Sequence, residues 1–212
     1  NRDVDGTPIF GPGDLRAQYG EDGECEGVRV GELLGRAKVI VGDPSYFPEK
    51  CRTVRKVVRA IAILGKPPVG CEALPSCQVI IPAPHAARQT DLSLFCCTST
   101  HKVAPAEKYV AFLSTYVEGD VGGASPSEIG RQQLEKGLGL FSEPLELFYD
   151  VYDERAPIGA AELDATGVFV SKSYDPTSHF ETAIDDVLDL YKRITGSELE
   201  LKDGADEAGP SE

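Results

Sequence analysis

The sequence predicts an α/β fold, in which α and β elements are arranged around a mixed sheet. Eight short runs rich in β-branched and aromatic residues, bounded by Gly, Pro and Asp, indicate strands. One long amphipathic segment near the C-terminal end indicates a helix. With 212 residues, 41% of them apolar, the chain is long enough to build a hydrophobic core and too apolar for a disordered protein.

The predicted strands follow an opening segment, residues 1–24, that is rich in Gly, Asp and Pro and is expected to form a loop or a long hairpin. The eight predicted strands are residues 25–30, 38–41, 57–64, 77–81, 92–100, 108–117, 145–151 and 168–173. Only a short connection separates the fifth and sixth runs, so we expect these two to be antiparallel neighbours.

Two capping boxes predict the helices. Ser125 and Glu128 enclose a Pro at the first helical position, so a helix should run from there to about Lys136. Ser178 and Glu181 form a second box, whose helix should end before Gly196. The apolar residues that recur at helical spacing in the second helix, and that we expect to be docked in the protein, are Phe180, Ile184, Val187, Tyr191 and Ile194.

The charge distribution limits the classes of partner. The net charge is −14 and the isoelectric point is about 4.6, which excludes nucleic acid as the main partner because phosphate binding needs a basic face. Residues 36–66 are the exception, with eight Lys or Arg and two acids. We expect this stretch either to form a solvated surface or to approach an acidic partner or membrane.

The search for reactive or metal-binding residues predicts no catalytic, cofactor-binding or metal site. The six Cys form no Cys-x-x-Cys pair, and Cys96 and Cys97 lie in an apolar run typical of buried thiols. Cys71 and Cys77 are the one pair placed for a disulfide bridge. His179 lies near Ser178 and Asp175, but no nucleophile motif accompanies them, which favours a capping role for this His.

Several sequence blocks are characteristic of a known family. SYDPTSHFET at 173–182, followed by YKR and TGSE, is similar to the end of the Rab GDP-dissociation inhibitors. DPSY at 43–46, SCQVIIP at 76–82 and HKVA at 101–104 are similar to family blocks in the same order. The resemblance covers about residues 36–198. Two departures are Glu107, where the family has Gly, and Lys172, where Arg is usual.

The resemblance implies the C-terminal half of a larger domain related to FAD/NAD(P)-binding and flavin monooxygenase folds, incomplete in this chain. Residues 1–196 would form that part, and residues 197–212, with six acids and one Lys, a flexible acidic tail. Partner-binding residues would lie mainly upstream of Asn1. The family-signature residues, interpreted as structural, are Asp43, Pro44, Ser45, Tyr46, Tyr174, Asp175, His179, Phe180, Glu181 and Thr182.

The function implied is that of a non-enzymatic, monomeric cytoplasmic protein without a cofactor. It would bind prenylated Rab GTPases in the GDP state, inhibit GDP release and recycle them in vesicular transport, touching membranes only transiently. Two alternatives remain: a Rab escort protein, which shares the fold, and the C-terminal half of a flavin-dependent oxidoreductase.

Overall fold

The computed structural model describes residues 15–72, 74–173, 175–177 and 180–200. The described residues form two compact units. Unit 1 comprises residues 15–50, 157–172 and 181–200, and unit 2 comprises residues 51–156 together with the described part of 173–180. The strands are β1 (Leu15–Tyr19), β2 (Cys25–Val30), β3 (Leu33–Arg36), β4 (Ile40–Gly42), β5 (Cys51–Leu64), β6 (Ser76–Ile81), β7 (Leu92–Thr98), β8 (Tyr109–Tyr116), β9 (Pro144–Pro157) and β10 (Val168–Val170). The helices are α1 (Ala83–Ala86), α2 (Pro126–Gln133), α3 (Glu135–Leu138), α4 (Ala160–Asp164) and α5 (Glu181–Thr195).

Unit 1 contains two small sheets. β1, β2 and β3 form an antiparallel meander, which confirms the hairpin alternative for the end of the opening segment. β4 and β10 form a parallel pair in which Val41 lies opposite Phe169. The three residues of β10 are buried, whereas Val41 in β4 is 55% exposed. One strand of this parallel pair is therefore fully buried, and the other exposes Val41.

Unit 2 is built on a five-stranded sheet with the order β6-β7-β8-β5-β9. β5, β8, β7 and β6 are paired antiparallel, as predicted for the fifth and sixth runs. Side chains alternate between the two faces of a sheet, and one face carries the core together with residues of α2 and α3. The fully buried core side chains include Val58, Leu64, Leu92, Leu94, Leu113 and Leu134.

Each of the eight predicted strands overlaps an observed strand, but β5 and β9 are longer than predicted. The first half of β5 is polar, and Lys56 pairs there with Asp153 of β9 at 2.8 Å. The predicted capping box is present: the Ser125 hydroxyl accepts a hydrogen bond from the Glu128 N–H, and the Glu128 carboxylate accepts one from the Ser125 N–H at 2.8 Å. The predicted helix is divided at Leu134 into α2 and α3. Short β1, β3, α1 and α4 were not predicted as separate elements.

Two glycines allow α2 and α3 to lie close to the sheet. A Cβ at Gly130 would be 2.1 Å from Tyr149 Cδ1, and a Cβ at Gly137 would be 2.6 Å from Leu113 Cδ1. Larger residues at these positions would push the helices away from the core, because interior packing leaves no room for extra atoms.

Glu107, the departure from the family's glycine, has φ of +61°. This left-handed conformation costs an L-residue about 1–2 kcal/mol, which is why Gly is favoured there. We expect Glu107→Gly to stabilise unit 2 by about 0.5–1 kcal/mol, measured as slower hydrogen exchange of β7 and β8 amides. Glu107→Ala, which keeps the steric cost of a Cβ, is the control and should change little. Equal gains in both variants would contradict this explanation.

The cysteines are reduced and mostly buried. None of the six forms a disulfide, so the bridge between Cys71 and Cys77 is not formed. Cys96 and Cys97 are buried as predicted, and Cys25, Cys71 and Cys77 are buried as well. Burial, reinforced by Cys71, raises the pKa of the Cys77 thiol to about 12, so this thiol is protonated at neutral pH. Within the described ranges, no helix is long and apolar enough to span a membrane.

Candidate functional site

The open face of the unit 2 sheet brings polar and aromatic side chains together in rows. Arg59 of β5 lies opposite Ser114 of β8, which lies opposite Ser93 of β7. In the next row on the same face, Phe112 of β8 lies opposite Phe95 of β7. The strand register therefore places a guanidinium and two hydroxyls beside two phenyl rings.

These rows and residues 176–177 line an open pocket of about 210 Å³, here called the Arg59 pocket. Ser93 and Ser114 are buried although they are polar. Pro176 and Thr177, which belong to the SYDPTSHFET block, complete the lining. The residues that line the pocket are Arg59, Ser93, Phe95, Phe112, Ser114, Pro176 and Thr177.

The Arg59 guanidinium keeps its charge available within this pocket. Its Nε donates to the Ser114 hydroxyl at 3.0 Å, and its Cζ lies 5.5 Å from the centroid of the Tyr152 ring. Burial raises the pKa of Tyr152, and the nearby Arg59 opposes that shift. No ion pair is found between Arg59 and a described carboxylate. The pocket is therefore suited to a carboxylate or phosphate group, which Arg binds well.

Two neighbouring cations of β5, Arg55 and Lys56, differ from Arg59 because each forms an ion pair with a carboxylate of β9. Arg55 Nε lies 3.1 Å from the Glu154 carboxylate, and Lys56 Nζ lies 2.8 Å from the Asp153 carboxylate. Lys56 also lowers the pKa of Asp153 through its hydrogen bond to that carboxylate. The basic stretch at 36–66 thus offers less free positive charge than its composition indicates, and its approach to an acidic surface stays a prediction.

The signature residues at 43–46 form a turn in unit 1. The Asp43 carboxylate accepts a hydrogen bond from the Ser45 N–H at 2.8 Å, and the Asp43 carbonyl accepts one from the Tyr46 N–H at 3.0 Å. Pro44 is buried in this 3₁₀ turn, and the neighbouring Phe47 is buried as well. These contacts are those of an Asx-type turn that ends β4.

The second group of signature residues is divided between the units. In unit 2, the Asp175 carboxylate accepts hydrogen bonds from the N–H and hydroxyl of Thr177, and Pro176 is buried. Tyr174, Ser178 and His179 lie outside the described residues, so the second capping box and the role of His179 stay predictions. Phe180 is 79% exposed. Glu181 and Thr182, both exposed, begin α5 in unit 1.

The predicted buried face of α5 is wrong in its first half, whereas Tyr191 and Ile194 in its second half are half-buried. Ile184 and Val187 are each 55% exposed, as is most of Phe180, whereas Leu190 and Asp186 are buried. The docked side of this helix also carries an ion pair. Two nitrogens of Arg193 bind the Asp164 carboxylate of α4 at 2.6 and 2.7 Å. The apolar periodicity predicts that this helix exists, but it does not predict which side of the helix is buried.

Asp186 is the most unusual side chain of α5. It is only 3% exposed, and its Oδ2 accepts a hydrogen bond from the Lys172 N–H at 3.1 Å. Its Oδ1 is buried and makes no hydrogen bond within the described part of the chain. Burial raises the pKa of this carboxyl above its ordinary value. A buried acceptor without a donor is costly, so native proteins rarely leave one.

Comparison with known proteins places the chain in a family. A family model described as GDP dissociation inhibitor matches residues 6–206. The chain belongs to this GDI family. It is 40% identical over 196 residues to guanosine nucleotide diphosphate dissociation inhibitor 2 of Arabidopsis thaliana, covering 92% of this chain and 42% of the relative. It is 42% identical over 184 residues to the probable secretory pathway GDP dissociation inhibitor 1 of Schizosaccharomyces pombe, covering 87% of this chain and 40% of that relative.

A solved structure agrees with this assignment. The crystal structure of Rab GDI from Plasmodium falciparum matches with a TM-score of 0.76 and 28% identity, covering 88% of this chain and 41% of that chain. The chain thus spans less than half the length of these GDI relatives. Both the sequence resemblance and the mixed α/β class are confirmed.

Sequence reasoning missed two groups that the structure of this GDI-family chain reveals. Arg59 could not be distinguished from the other basic residues at 36–66, because its separation from every described carboxylate depends on strand register. Asp186 lies off the apolar face predicted for α5, and its burial depends on how the helix docks. The described residues contain no group of three His, Cys, Asp or Glu side chains that could hold a metal ion.

Proposed function

We propose that this chain acts as part of a Rab GDP-dissociation inhibitor. The whole protein would bind prenylated Rab GTPases in the GDP state, inhibit GDP release, and carry them between membranes and cytosol. The observation that carries this proposal is the match of the GDI family model to residues 6–206. The named relatives are GDP dissociation inhibitors, which favours this function over an escort protein or a flavin-dependent oxidoreductase.

The proposed activity is differential binding and needs no covalent step, so we propose that the protein is not an enzyme. A prenyl group holds a GTPase at the membrane with about 0.8 kcal/mol for each buried CH₂. Extraction therefore needs a protein that shelters the lipid and that binds the GDP-bound conformation better than the GTP-bound one. Such a protein would work in the cytosol as a monomer without a cofactor and touch membranes only transiently.

We propose that the described residues supply the C-terminal part of the large GDI domain, a fold related to FAD/NAD(P)-binding proteins. The parallel pair of β4 and β10, followed by α5, supports this relation because parallel strands joined to helices are typical of such folds. In this arrangement the described residues complete the fold, and most of the Rab-contacting surface lies in the sequence that the relatives have beyond the match.

Binding of prenylated Rab by the chain joined with the rest of a GDI tests the proposal. The complex should take up the GDP-loaded GTPase and slow its release of GDP. A folded complex that leaves the GDP release rate unchanged would contradict the proposed function.

A further inference from the structure

We propose that the Arg59 pocket of unit 2 is a binding site for a small aromatic carboxylate. The carboxyl group of this ligand lies on the Arg59 guanidinium, and its ring lies against Phe95 and Phe112. The site is independent of the proposed function, because its lining residues belong to unit 2 alone and neither a prenyl group nor a GTPase takes part.

Arg59 has hydrogen-bond donors that no described residue uses. Its Nε donates to the Ser114 hydroxyl at 3.0 Å, whereas its Nη1 and Nη2 make no hydrogen bond to the described residues. These two nitrogens lie in one plane, so they match the two oxygens of a carboxylate. The Tyr152 ring, whose centroid lies 5.5 Å from Arg59 Cζ, supports the guanidinium from another side. Arg59 is therefore held in place and still has two donors for an anion.

Two buried serines add polar groups at the same place. Ser93 and Ser114 are 7% and 3% exposed, and the strand register puts both in one row with Arg59. The Ser114 oxygen accepts from Arg59, which leaves its O–H able to donate. The Ser93 hydroxyl makes no hydrogen bond within the described part of the chain. An acceptor inside the pocket, such as a carboxylate oxygen, would satisfy both hydroxyls.

The two phenyl rings determine what kind of group carries the anion. Phe95 and Phe112 lie opposite each other, two residues along their strands from the serines, and both are half-buried. The pocket of about 210 Å³ is smaller than the roughly 300–1,000 Å³ of sites for drug-sized ligands, so it has room for one small ring. Aromatic rings pack on phenyl rings in offset or edge-to-face contacts. A single aromatic ring therefore suits this end of the pocket.

The charges around the pocket favour a carboxylate over a phosphate ester. Arg59 is the one cation among the described lining residues. A carboxylate brings one negative charge, whereas a phosphate monoester brings about 1.5–2 at neutral pH. Burial raises the pKa of Tyr152, and Asp150, Asp175 and Glu154 raise it further, so these carboxylates lie near the ring. They would repel the additional charge of a phosphate.

These carboxylates leave Arg59 available because each has other surroundings. Glu154 is paired with Arg55 at 3.1 Å. Asp175 accepts hydrogen bonds from the N–H and hydroxyl of Thr177, and Asp150 is exposed to solvent. A ligand with one negative charge therefore does not have to displace an existing ion pair to reach Arg59.

The test compares four small ligands on the unchanged 212-residue chain. The chain carries a fluorophore at its N-terminus and is kept at nanomolar concentration, and thermophoresis gives each Kd. We expect benzoate to bind about tenfold or more tightly than benzyl alcohol, which has the ring without the charge. Acetate, which has the charge without the ring, should also bind about tenfold more weakly than benzoate. Phenyl phosphate should bind more weakly than benzoate as well.

Variants then place the ligand in the pocket. Arg59→Gln should raise the benzoate Kd about tenfold or more, and Ser93→Ala should raise it about threefold. Arg52→Gln is the matched control, because it removes the same charge from an exposed position of the same strand. It should change the Kd by less than about twofold. Unchanged hydrogen exchange of the β8 amides shows that unit 2 is intact in each variant.

Several results would overturn the site. Equal Kd values for benzoate and benzyl alcohol, or for Arg59→Gln and Arg52→Gln, would show that the Arg59 charge is not recognised. Equal binding of acetate and benzoate would remove the role of the rings, and tighter binding of phenyl phosphate would contradict the carboxylate. No binding of benzoate up to about 10 mM would contradict the pocket itself. The ligand comparison needs no variant, so it decides the question even if Arg59→Gln fails to fold.

Discussion

The isolated 212-residue chain is expected to bind an apolar dye such as ANS and to unfold without one sharp transition. Unit 1 exposes Val41, Ile184 and Val187, and its β4 edge is unpaired within the described structure. Exposed apolar surface and a free strand edge both favour self-association. We therefore expect the chain to aggregate at micromolar concentration as well.

The measurement is a thermal melt followed by circular dichroism, with dye fluorescence and light scattering recorded on the same sample. Unit 2 has a hydrophobic core, so we expect it to keep its far-UV signal up to a higher temperature. Unit 1 should lose its far-UV signal first. Addition of the remaining GDI sequence should lower dye binding and sharpen the melt. A single cooperative melt of the isolated chain without dye binding would contradict this expectation.

Leu113→Ala is expected to lower the stability of unit 2 by about 2–5 kcal/mol. Leu113 is fully buried in β8, the strand between β5 and β7, and it faces α3 at Gly137. Truncation removes contacts with both the sheet and the helix. The cavity cannot close easily, because the central strand is held by hydrogen bonds on both sides.

Native-state hydrogen exchange of the β8 amides measures this loss locally, so it does not require a cooperative melt of the whole chain. Ile80→Ala in β6 of the same sheet is the control. Ile80 is 48% exposed, so its truncation should lower the stability of unit 2 much less than the truncation of Leu113 does. Similar losses of protection in the two variants would show that β8 is not at the centre of the core.

The difference between what could and could not be predicted has a physical cause. Strand positions and the Ser125 capping box depend on local sequence, and they were predicted well. The exposure of Ile184 and the burial of Asp186 depend on where α5 docks. The ion pair between Arg193 and Asp164, which are 29 residues apart in the sequence, helps to fix that position. Likewise, Arg59 forms no ion pair with a described carboxylate, because the strand register places it opposite Ser114. Arg55 and Lys56 instead form ion pairs with carboxylates of β9.

The unsatisfied groups of α5 bear on the interpretation of the whole chain. The exposed Ile184 and the buried Asp186 Oδ1, which has no hydrogen-bond partner within the described residues, are the two features of α5 that the sequence did not predict. The Arg59 pocket lies in unit 2 on the open face of the sheet.

Nucleotide-state selectivity tests the central proposal most directly. The chain, assembled with the remaining GDI sequence, is titrated with a prenylated Rab loaded either with GDP or with a non-hydrolysable GTP analogue, and both Kd values are measured. We predict binding of the GDP form that is at least tenfold tighter than binding of the GTP form. Equal affinity for the two forms, or no binding by an assembled and cooperatively folded protein, would contradict the assignment of this chain to a working Rab GDP-dissociation inhibitor.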